Sequence, residues 1–316
     1  MYDVIIIGSG TAGIGAALYT GRAGLKTLMF GRIENSNAYK AHVLENYLGF
    51  EKPISGPALM AESLKQAMRF KIEHAARDVA DVIMVRHDEA LPSIGVAFKV
   101  VDDGNNEYFS KTVIIASGLG FKPSGIRNEK QYLGKGLSFC VTCDGPFFKE
   151  KEVLVIGDGN YAAIEAMHLT SFTNAITIVS HGKEFSISDE MRADCEKRNI
   201  TLKKTPRIAS FEGGDALTKI VFEDKSEREC EGVFIALGKA SAADFANQLG
   251  VERKGPQGAY IVANPMTAET NAPGVFAAGD CTGGNAQIAK SSGEGCNAGI
   301  SVIKLIKGMA AYVDYS

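Results

Sequence analysis

Unbroken apolar runs, rather than alternating ones, mark the strongest predicted strands of this chain. Val4–Ile7 ends at Gly8, and Val153–Ile156 ends at Gly157. Parallel strands that are covered on both faces read as continuous apolar segments, whereas half-exposed strands alternate. The pattern therefore predicts buried parallel strands and an α/β fold.

The two apolar runs belong to an internal repeat. Residues 2–30 are echoed by residues 151–180, and each copy predicts a strand, a glycine-rich turn, a helix and a second strand. We therefore predict two Rossmann-like, doubly wound nucleotide-binding domains, the second inserted into the first. The first domain is predicted to be discontinuous, 1–117 plus 246–316, and the inserted domain is 118–245.

The first copy carries the spacing of a dinucleotide loop. Gly8, Gly10 and Gly13 form G-x-G-x-x-G between a predicted strand and a predicted helix. The first glycine allows the tight turn, the second lets a pyrophosphate approach the backbone, and the third lets the helix pack closely. The N–H groups at Thr11 and Ala12 would face the anion at the helix N-terminus.

A further apolar run near the end of the chain closes on a glycine and an acid. In APGVFAAGDCTGG, residues 272–284, the predicted strand ends at Gly279 and Asp280. Asp280 could meet a hydroxyl of a bound cofactor, or it could cap a short helix. The sequence leaves both interpretations open.

Composition and charge exclude several classes. The net charge is −3 and lysines are scattered, so there is no basic face for nucleic acid. The amino-terminal apolar run is too short for a signal peptide core, and no run is long enough for a membrane span. Six cysteines in 316 residues do not form a secreted disulfide framework. We expect a cytoplasmic protein.

One cysteine pair stands out. Cys140 and Cys143 have C-x-x-C spacing and are followed by Asp144. Zinc would need a second pair or nearby histidines, which are absent from the sequence around it, and a disulfide over so short a loop removes little unfolded-state entropy. A redox-active dithiol is the best interpretation. Asp144 would protonate a leaving thiolate or cap the turn that follows.

These motifs together resemble the low-molecular-weight thioredoxin reductases. The resemblance rests on the first glycine loop, LENYLGF (44–50), CVTCDG (140–145), the second loop at 157–162, GVFAAGD (274–280) and AQIAKSSGEG (286–295), which occur in that family's order. It covers nearly the whole chain. The C-x-x-C-D-G between two nucleotide loops is specific to that group.

The resemblance implies an FAD in the first domain, and it implies a path for electrons. The positions matching FAD-contacting motifs are Gly8, Gly10, Thr11, Ala12, Gly13, Asn46, Gly279, Asp280, Gln287 and Ile288. By the same analogy, Cys143 faces the flavin, Cys140 attacks a thioredoxin-like protein, and Asp144 is the acid. A rotating inserted domain and a homodimer are further implications.

The chain departs from that family in two places. Asn35–Ala38 replaces the G-G-Q-L segment near the flavin, and all three arginines of H-R-R-x-x-x-R are missing from residues 180–186. Guanidinium groups recognise a 2′-phosphate by charge-assisted contacts, for which His181 and Lys183 are partial substitutes. NADH would call for an acid where Ser180 stands, with Glu184 several residues later. We therefore expect that NADPH is not the donor.

The second loop nevertheless keeps the spacing that a pyrophosphate needs. Its predicted binding residues are Gly157, Gly159, Asn160, Tyr161 and Ala162. Tyr161 is either a surface aromatic at a helix start, or a flat face that blocks nicotinamide or stacks on a second flavin. Tyr312 and Tyr315 are candidates for covering a flavin face.

Three functions remain open. The first is a thioredoxin-reductase-like flavoenzyme that has lost NADPH use, either with a second FAD, which the retained loop and Tyr161 favour slightly, or with an empty second site and ferredoxin as the donor. The second is an NAD(P)H-dependent thioredoxin reductase with an altered pocket. The third is a redox-sensing partner protein without turnover.

Overall fold

The computed structural model describes residues 1–118, 124–139, 141–238 and 240–313, without the side chains of Thr142, Cys143 and Gln257. The chain divides into two compact units. Unit 1 comprises 1–102, 106–121 and 241–316, and unit 2 comprises 103–105 and 122–240. Unit 2 thus interrupts unit 1 along the sequence.

Unit 1 is built from strands and helices that alternate at its amino-terminal end. Its elements are β1 (Tyr2–Ile7), α1 (Thr11–Arg22), β2 (Thr27–Phe30), α2 (Gly56–Met68), β3 (Glu73–Ala75), β4 (Val79–Val85), β5 (Ala97–Asp102) and β6 (Glu107–Ile115), and, after unit 2, α7 (Ala242–Gln248), β15 (Arg253–Lys254), β16 (Tyr260–Ile261), β17 (Val275–Ala277) and α8 (Ile288–Lys307).

The main sheet of unit 1 is parallel around β1 and antiparallel at one edge. Its order is β3-β2-β1-β6-β5-β4, and β17 lies parallel to β6 over residues 113–115. The strands β1, β2, β6 and β17 therefore end at one edge of the sheet. The first glycine loop and the Gly279–Asp280 turn follow two of these carboxyl ends.

Small residues allow α1 and α8 to pack closely. A Cβ on Gly295 would lie 2.1 Å from the Ala12 carbonyl oxygen, and one on Gly299 would lie 3.0 Å from that of Ala16. Larger side chains would push the helices apart, because a packed core does not absorb added volume cheaply. This packing holds the start of α8 beside the start of α1.

Unit 2 repeats the same plan with its own sheet. Its elements are α3 (Glu129–Tyr132), β7 (Leu137–Ser138), α4 (Val141–Asp144), β8 (Val153–Ile156), α5 (Asn160–Leu169), β9 (Ile176–Val179), α6 (Asp189–Lys197), β10 (Thr201–Lys203), β11 (Ile208–Gly213), β12 (Leu217–Phe222), β13 (Glu227–Glu229) and β14 (Gly232–Ile235).

The sheet of unit 2 is parallel throughout, in the order β10-β9-β8-β14-β7. A separate antiparallel sheet, β11-β12-β13, packs its buried face, with Phe211 and Ile220, into the same core as Leu154 and Val233. The prediction of an α/β fold with two Rossmann-like nucleotide-binding domains is confirmed.

Candidate functional site

Two of the three glycines in the first loop stand where no side chain would fit, and the third is less crowded. A Cβ on Gly8, whose φ is +119°, would lie 2.3 Å from the Ala116 carbonyl oxygen, and one on Gly13 would lie 1.8 Å from that of Gly8. At Gly10 the nearest neighbour of such a Cβ is Ser36 Cβ, 3.9 Å away. A side chain at Gly8 or Gly13 would therefore overlap the backbone, whereas a Cβ at Gly10 would make only an ordinary contact with Ser36.

The open side of this loop suits an anion. Gly10 is the N-cap of α1, no side chain caps the helix, and its first turn contains no acidic residue. Unpaired N–H groups and the helix dipole therefore face this space.

Two hydroxyl groups mark the same place. Ser9 Oγ, inside the loop, and Ser117 Oγ, just after β6, are buried and have no hydrogen-bond partner among the described residues. Buried polar atoms normally have a partner, so these two fit a bound cofactor that supplies one. The sequence reasoning passed over both serines because their hydroxyls resemble those of any small loop residue.

The turn after β17 brings Asp280 to the same edge of the sheet. Gly279 has φ +91°, which an L side chain rarely adopts, and a Cβ there would lie 2.8 Å from Ala12 Cβ. Asp280 Oδ1 accepts a hydrogen bond of 3.1 Å from Ser291 Oγ, and no side chain caps this turn. Its carboxylate is therefore held by α8 instead of serving as a cap.

A charged pair on α8 clamps this turn. Lys290 Nζ donates to the carbonyl oxygens of Gly279 (2.9 Å) and Gly283 (2.6 Å), and it lies 2.9 Å from Glu294 Oε2. The same Glu294 oxygen accepts from Gly279 N (2.8 Å) and Thr282 Oγ1 (3.0 Å). The turn that carries Asp280 is thus fixed on both faces. Only the i, i+4 spacing of the pair could have indicated it in the sequence.

Two more of the predicted FAD residues meet beside α8. Gln287 is the N-cap of the helix that begins at Ile288, and its Oε1 accepts a hydrogen bond of 3.1 Å from Asn46 Nδ2. Residues 241 positions apart are thereby joined at a helix N-terminus. Tyr312 packs against the core of unit 1. Tyr315 lies outside the described residues.

The second glycine loop makes its contacts within the chain. Asp158 O accepts hydrogen bonds from Ser186 N (2.7 Å) and Ser186 Oγ (3.1 Å), and Asn160 Oδ1 accepts from Ser188 N (2.8 Å). A Cβ on Gly159 would lie 3.4 Å from Ser186 Oγ. The segment 183–188 therefore lies against the loop at the place where a pyrophosphate would approach.

The side chains expected to recognise a nicotinamide cofactor have other partners. Ser180 is fully buried and its Oγ accepts from Thr205 N (3.1 Å). His181 Nδ1 accepts from Ile208 N (2.9 Å), and burial, with the positive charges of Arg207 and Lys183, lowers the pKa of this histidine. A buried neutral imidazole is a poor ligand for a phosphate.

The remaining charges of this segment are paired as well. Lys183 Nζ lies 3.0 Å from Asp158 Oδ1, and Glu184 pairs with Lys204. Tyr161 is only 7% exposed, so the interpretation as a surface aromatic was wrong. Helix packing buries the ring, which a sequence reading of a helix start could not show.

The cysteine pair is only partly described. Cys140 and the side chain of Cys143 lie outside the described residues. The backbone of Cys143 belongs to α4, and Asp144 Oδ2 accepts a hydrogen bond of 2.6 Å from Ser138 Oγ. Asp144 makes no side-chain cap on the turn that follows, so the capping interpretation was wrong.

Three of the other cysteines, Cys195, Cys230 and Cys281, are buried and unsuited to thiolate chemistry. Burial raises the pKa of both the Cys230 and the Cys281 thiols to about 12, and it raises the pKa of Cys195. Almost none of these thiols is ionised at neutral pH, and the thiolate is the reactive form. Among the described residues, no group of three or more His, Cys, Asp or Glu side chains could hold a metal ion. No helix in the described ranges is long and apolar enough to cross a membrane.

Comparison with known proteins agrees with this geometry. The chain matches the pyridine nucleotide-disulphide oxidoreductase family over residues 2–295. It is 37% identical over 311 residues to the thioredoxin reductase of Bacillus subtilis, covering 96% of this chain and 94% of that one. The thioredoxin reductase of Mycolicibacterium smegmatis is 33% identical, with 95% of each chain covered.

Two solved structures are informative. The atypical thioredoxin reductase TRi from Desulfovibrio vulgaris Hildenborough is 37% identical, with a TM-score of 0.85 over 99% of this chain and 100% of that one. A ferredoxin-flavin thioredoxin reductase from Clostridium acetobutylicum is 28% identical, with a TM-score of 0.58 over 97% and 98%. The chain therefore belongs to the pyridine nucleotide-disulphide oxidoreductase family and is a thioredoxin-reductase-like, FAD-dependent disulfide oxidoreductase.

Proposed function

We propose that the chain carries one FAD in unit 1, takes electrons from a donor other than NADPH, and passes them through Cys140 and Cys143 to a thioredoxin-like protein. The contrast between the two glycine loops carries the proposal. Among the described residues only Ser36 lies within 4 Å of a Cβ at Gly10 in the first loop, whereas the second loop is bonded to Ser186 and Ser188.

Unit 1 would hold the FAD between its two turns. The N–H groups at the start of α1 would bind the pyrophosphate above Gly10, and Asp280 would accept from a ribityl hydroxyl. The hydroxyls of Ser9 and Ser117 would gain the partner that they lack. When bound, FAD supplies the two-electron chemistry that links a donor to a disulfide.

Unit 2 would carry the dithiol. Two electrons and two protons convert the Cys140–Cys143 disulfide into two thiols. The Cys140 thiolate then attacks a disulfide of the partner, forming a mixed disulfide and releasing one partner thiolate. Attack of Cys143 on Cys140 Sγ restores the enzyme disulfide and releases the second thiolate. Asp144 would hold the proton that these sulfur atoms exchange.

The donor is proposed to be a reduced protein of the ferredoxin class. Ser180, His181 and Lys183, which would have to recognise a nicotinamide cofactor, all have partners within the chain. The likeness to a ferredoxin-flavin thioredoxin reductase supports the same choice. A thioredoxin-like partner follows by analogy with the thioredoxin reductases that the chain resembles.

The second loop is proposed to hold no nucleotide. Ser186 lies against the loop, because its N and Oγ both donate to Asp158 O and its Oγ would contact a Cβ on Gly159 at 3.4 Å. A second FAD, with Tyr161 stacked on it, stays a prediction that would require segment 183–188 to leave this position. The homodimer also stays a prediction, which light scattering tests.

Anaerobic mixing tests the donor. The oxidised holoenzyme is mixed with NADPH, NADH or photochemically reduced ferredoxin, and the flavin absorbance near 450 nm is followed. Of the three donors, we expect only reduced ferredoxin to bleach the flavin within the time of a turnover. When thioredoxin is then added, we expect it to be reduced. Rapid bleaching by NADPH would contradict the proposal. If Cys143→Ser still reduced thioredoxin at the rate of the unaltered enzyme, the proposed role of the dithiol would be wrong. If the unaltered enzyme reduced no thioredoxin, the proposal of catalytic turnover would be wrong.

A further inference from the structure

Ser138 and Asp144, which flank the proposed dithiol in the sequence, form a hydrogen-bonded pair. Ser138 is 2% exposed, and its Oγ donates a hydrogen bond of 2.6 Å to Asp144 Oδ2. Hydrogen bonds from a hydroxyl to a carboxylate are stronger and shorter than bonds between neutral groups. The bond spans residues on either side of Cys140 and Cys143 in the sequence.

The fold places this serine firmly. Ser138 ends β7, where it pairs with Phe234 of β14, and β14 lies next to β8 in the centre of the sheet. The chain then makes the single turn α4 and reaches Asp144 six residues later. The hydroxyl is therefore anchored to the sheet, whereas the carboxylate sits on a short turn.

The segment after Asp144 is equally constrained. A Cβ on Gly145 would lie 2.5 Å from the Phe172 ring, and Phe148 packs edge-on against Phe234 at 5.1 Å. The backbone that follows Asp144 is thus held by packing. What remains adjustable is the rotamer of its side chain, which a hydrogen bond to one oxygen restricts.

We propose that Ser138 is a positioning residue that holds the Asp144 carboxylate in one rotamer through Oδ2, so that this carboxylate can hold the proton that the dithiol exchanges. The inference rests on the proposed function and deepens it, because it concerns the proton step of the Cys140–Cys143 pair. A group that transfers a proton must lie within hydrogen-bond reach of it, and a misplaced group loses rate steeply.

The test is a double-variant comparison in the holoenzyme. Fully reduced enzyme is mixed with oxidised thioredoxin in a single turnover, over a range of pH, for the unaltered chain, Ser138→Ala, Ser138→Thr, Asp144→Asn and the double variant. Ser110→Ala is the matched control, because Ser110 is also a fully buried strand serine but its Oγ has no partner among the described residues. FAD content and circular dichroism show that each variant is folded.

Ser138→Ala should slow the exchange about 10-fold and displace its pH profile, as expected for a general acid or base that has lost its geometry. Ser138→Thr, which keeps the hydroxyl, should restore most of the rate. In the Asp144→Asn background, Ser138→Ala should cost nothing further, because residues that act as a unit are not additive. Ser110→Ala should leave the rate within 2-fold of the unaltered enzyme.

Three results would overturn the inference. If Ser138→Ala left the rate unchanged while Asp144→Asn slowed it, Ser138 would have no positioning role and the proton role of Asp144 would stand. The inference would also fail if the double variant were a further 10-fold slower than Asp144→Asn alone, because Ser138 would then act independently of Asp144. If Asp144→Asn itself had no effect, the proton step in the proposed function would be wrong, and the role of Ser138 with it.

Discussion

The two glycine loops have the same spacing but different surroundings. In unit 1 the nearest described neighbour of a Cβ at Gly10 is Ser36 Cβ, 3.9 Å away, and the neighbouring Ser9 hydroxyl lacks a partner among the described residues. In unit 2, Ser186 Oγ lies 3.4 Å from the Cβ position of Gly159 and is bonded to Asp158. A glycine motif therefore specifies the turn and the helix start. Whether a ligand can bind depends on the residues packed over it.

The difference originates in the residues after the second strand of each copy. Downstream of β2 the chain turns at Gly31, whose Cβ position faces Ser9 Oγ at 2.8 Å. Downstream of β9, Ser180 and His181 are bonded to the backbone of residues 205 and 208. These bonds fix the residues just before segment 183–188, and Ser186 and Ser188 bond that segment to the second loop.

Replacing the second glycine of each loop by alanine should give the largest difference in FAD binding between the two loops. Gly10 and Gly159 have φ values of −74° and −119°, so alanine strains neither backbone. Gly10→Ala should weaken FAD binding by at least about 10-fold, because the methyl group would occupy the place of the pyrophosphate. Gly159→Ala should leave flavin affinity and turnover within 2-fold. Titration of the apoprotein with FAD, followed by flavin fluorescence, measures both. Equal losses from the two variants would contradict the assignment.

The clamp on the Asp280 turn should have the next largest effect. Lys290→Met removes both hydrogen bonds from Nζ to the turn carbonyls, and Glu294→Gln removes the negative charge that pairs with Lys290. Either change should weaken FAD binding by about 10-fold, because bonds with a charged partner contribute about 1.5–3 kcal/mol in partly buried sites. The same titration checks this.

The exposed pair Lys65–Glu62 in α2 is the matched control, because its side chains are 72% and 66% exposed. Lys65→Met and Glu62→Gln should leave FAD affinity unchanged. If the Lys290 and Glu294 contacts only stabilised the fold, their loss would lower the thermal midpoint of the apoprotein without changing FAD affinity. That result would contradict a role in FAD binding.

Lowering the pH should reduce the stability of the folded chain through His181. Its folded pKa lies below the 6.5 of an exposed histidine, so below pH 6.5 the unfolded chain binds the extra proton and the folded chain resists it. Stability should therefore fall as the pH is lowered through 6.5, by up to about 1 kcal/mol over the next pH unit.

His181→Asn is the appropriate comparison, because asparagine keeps an acceptor for Ile208 N and tolerates the φ of +50° found here. Thermal midpoints at pH 7.5 and 5.5 should differ more for the unaltered chain than for this variant. An identical pH dependence in both chains would contradict the buried neutral imidazole.

The smallest effect is expected at Lys183. Its side chain is 58% exposed, so its ion pair with Asp158 contributes at most a few tenths of a kcal/mol. Lys183→Met should change neither turnover nor the response to NADPH. A large fall in turnover, measured with thioredoxin as substrate, would show that this residue contacts a substrate or donor.

The sequence predicted the elements of this molecule well and some of its contacts poorly. The apolar runs before Gly8 and Gly157 predicted the parallel strands of both main sheets, because burial on two faces leaves a direct signature. Residues Asn46 and Gln287 were named through the family resemblance, and they meet in the structure.

What the sequence could not predict depends on long-range packing. The partners of Ser180 and His181 lie 25 and 27 residues away, and nothing local indicates them. The burial of Tyr161 depends on how α5 packs, and the clamp of Lys290 and Glu294 depends on the path of the turn after β17. A motif read alone therefore overstated the resemblance between the two loops.

The flavin content of the purified holoenzyme tests the central claim most directly. Protein and extracted FAD are quantified on the same sample, after saturation with free FAD and removal of the excess. Because Ser186 and Ser188 are bonded to the second loop and no such segment is bonded over the first among the described residues, we predict one FAD per chain. Two FAD per chain would contradict the account, because the second could bind only if segment 183–188 left the loop.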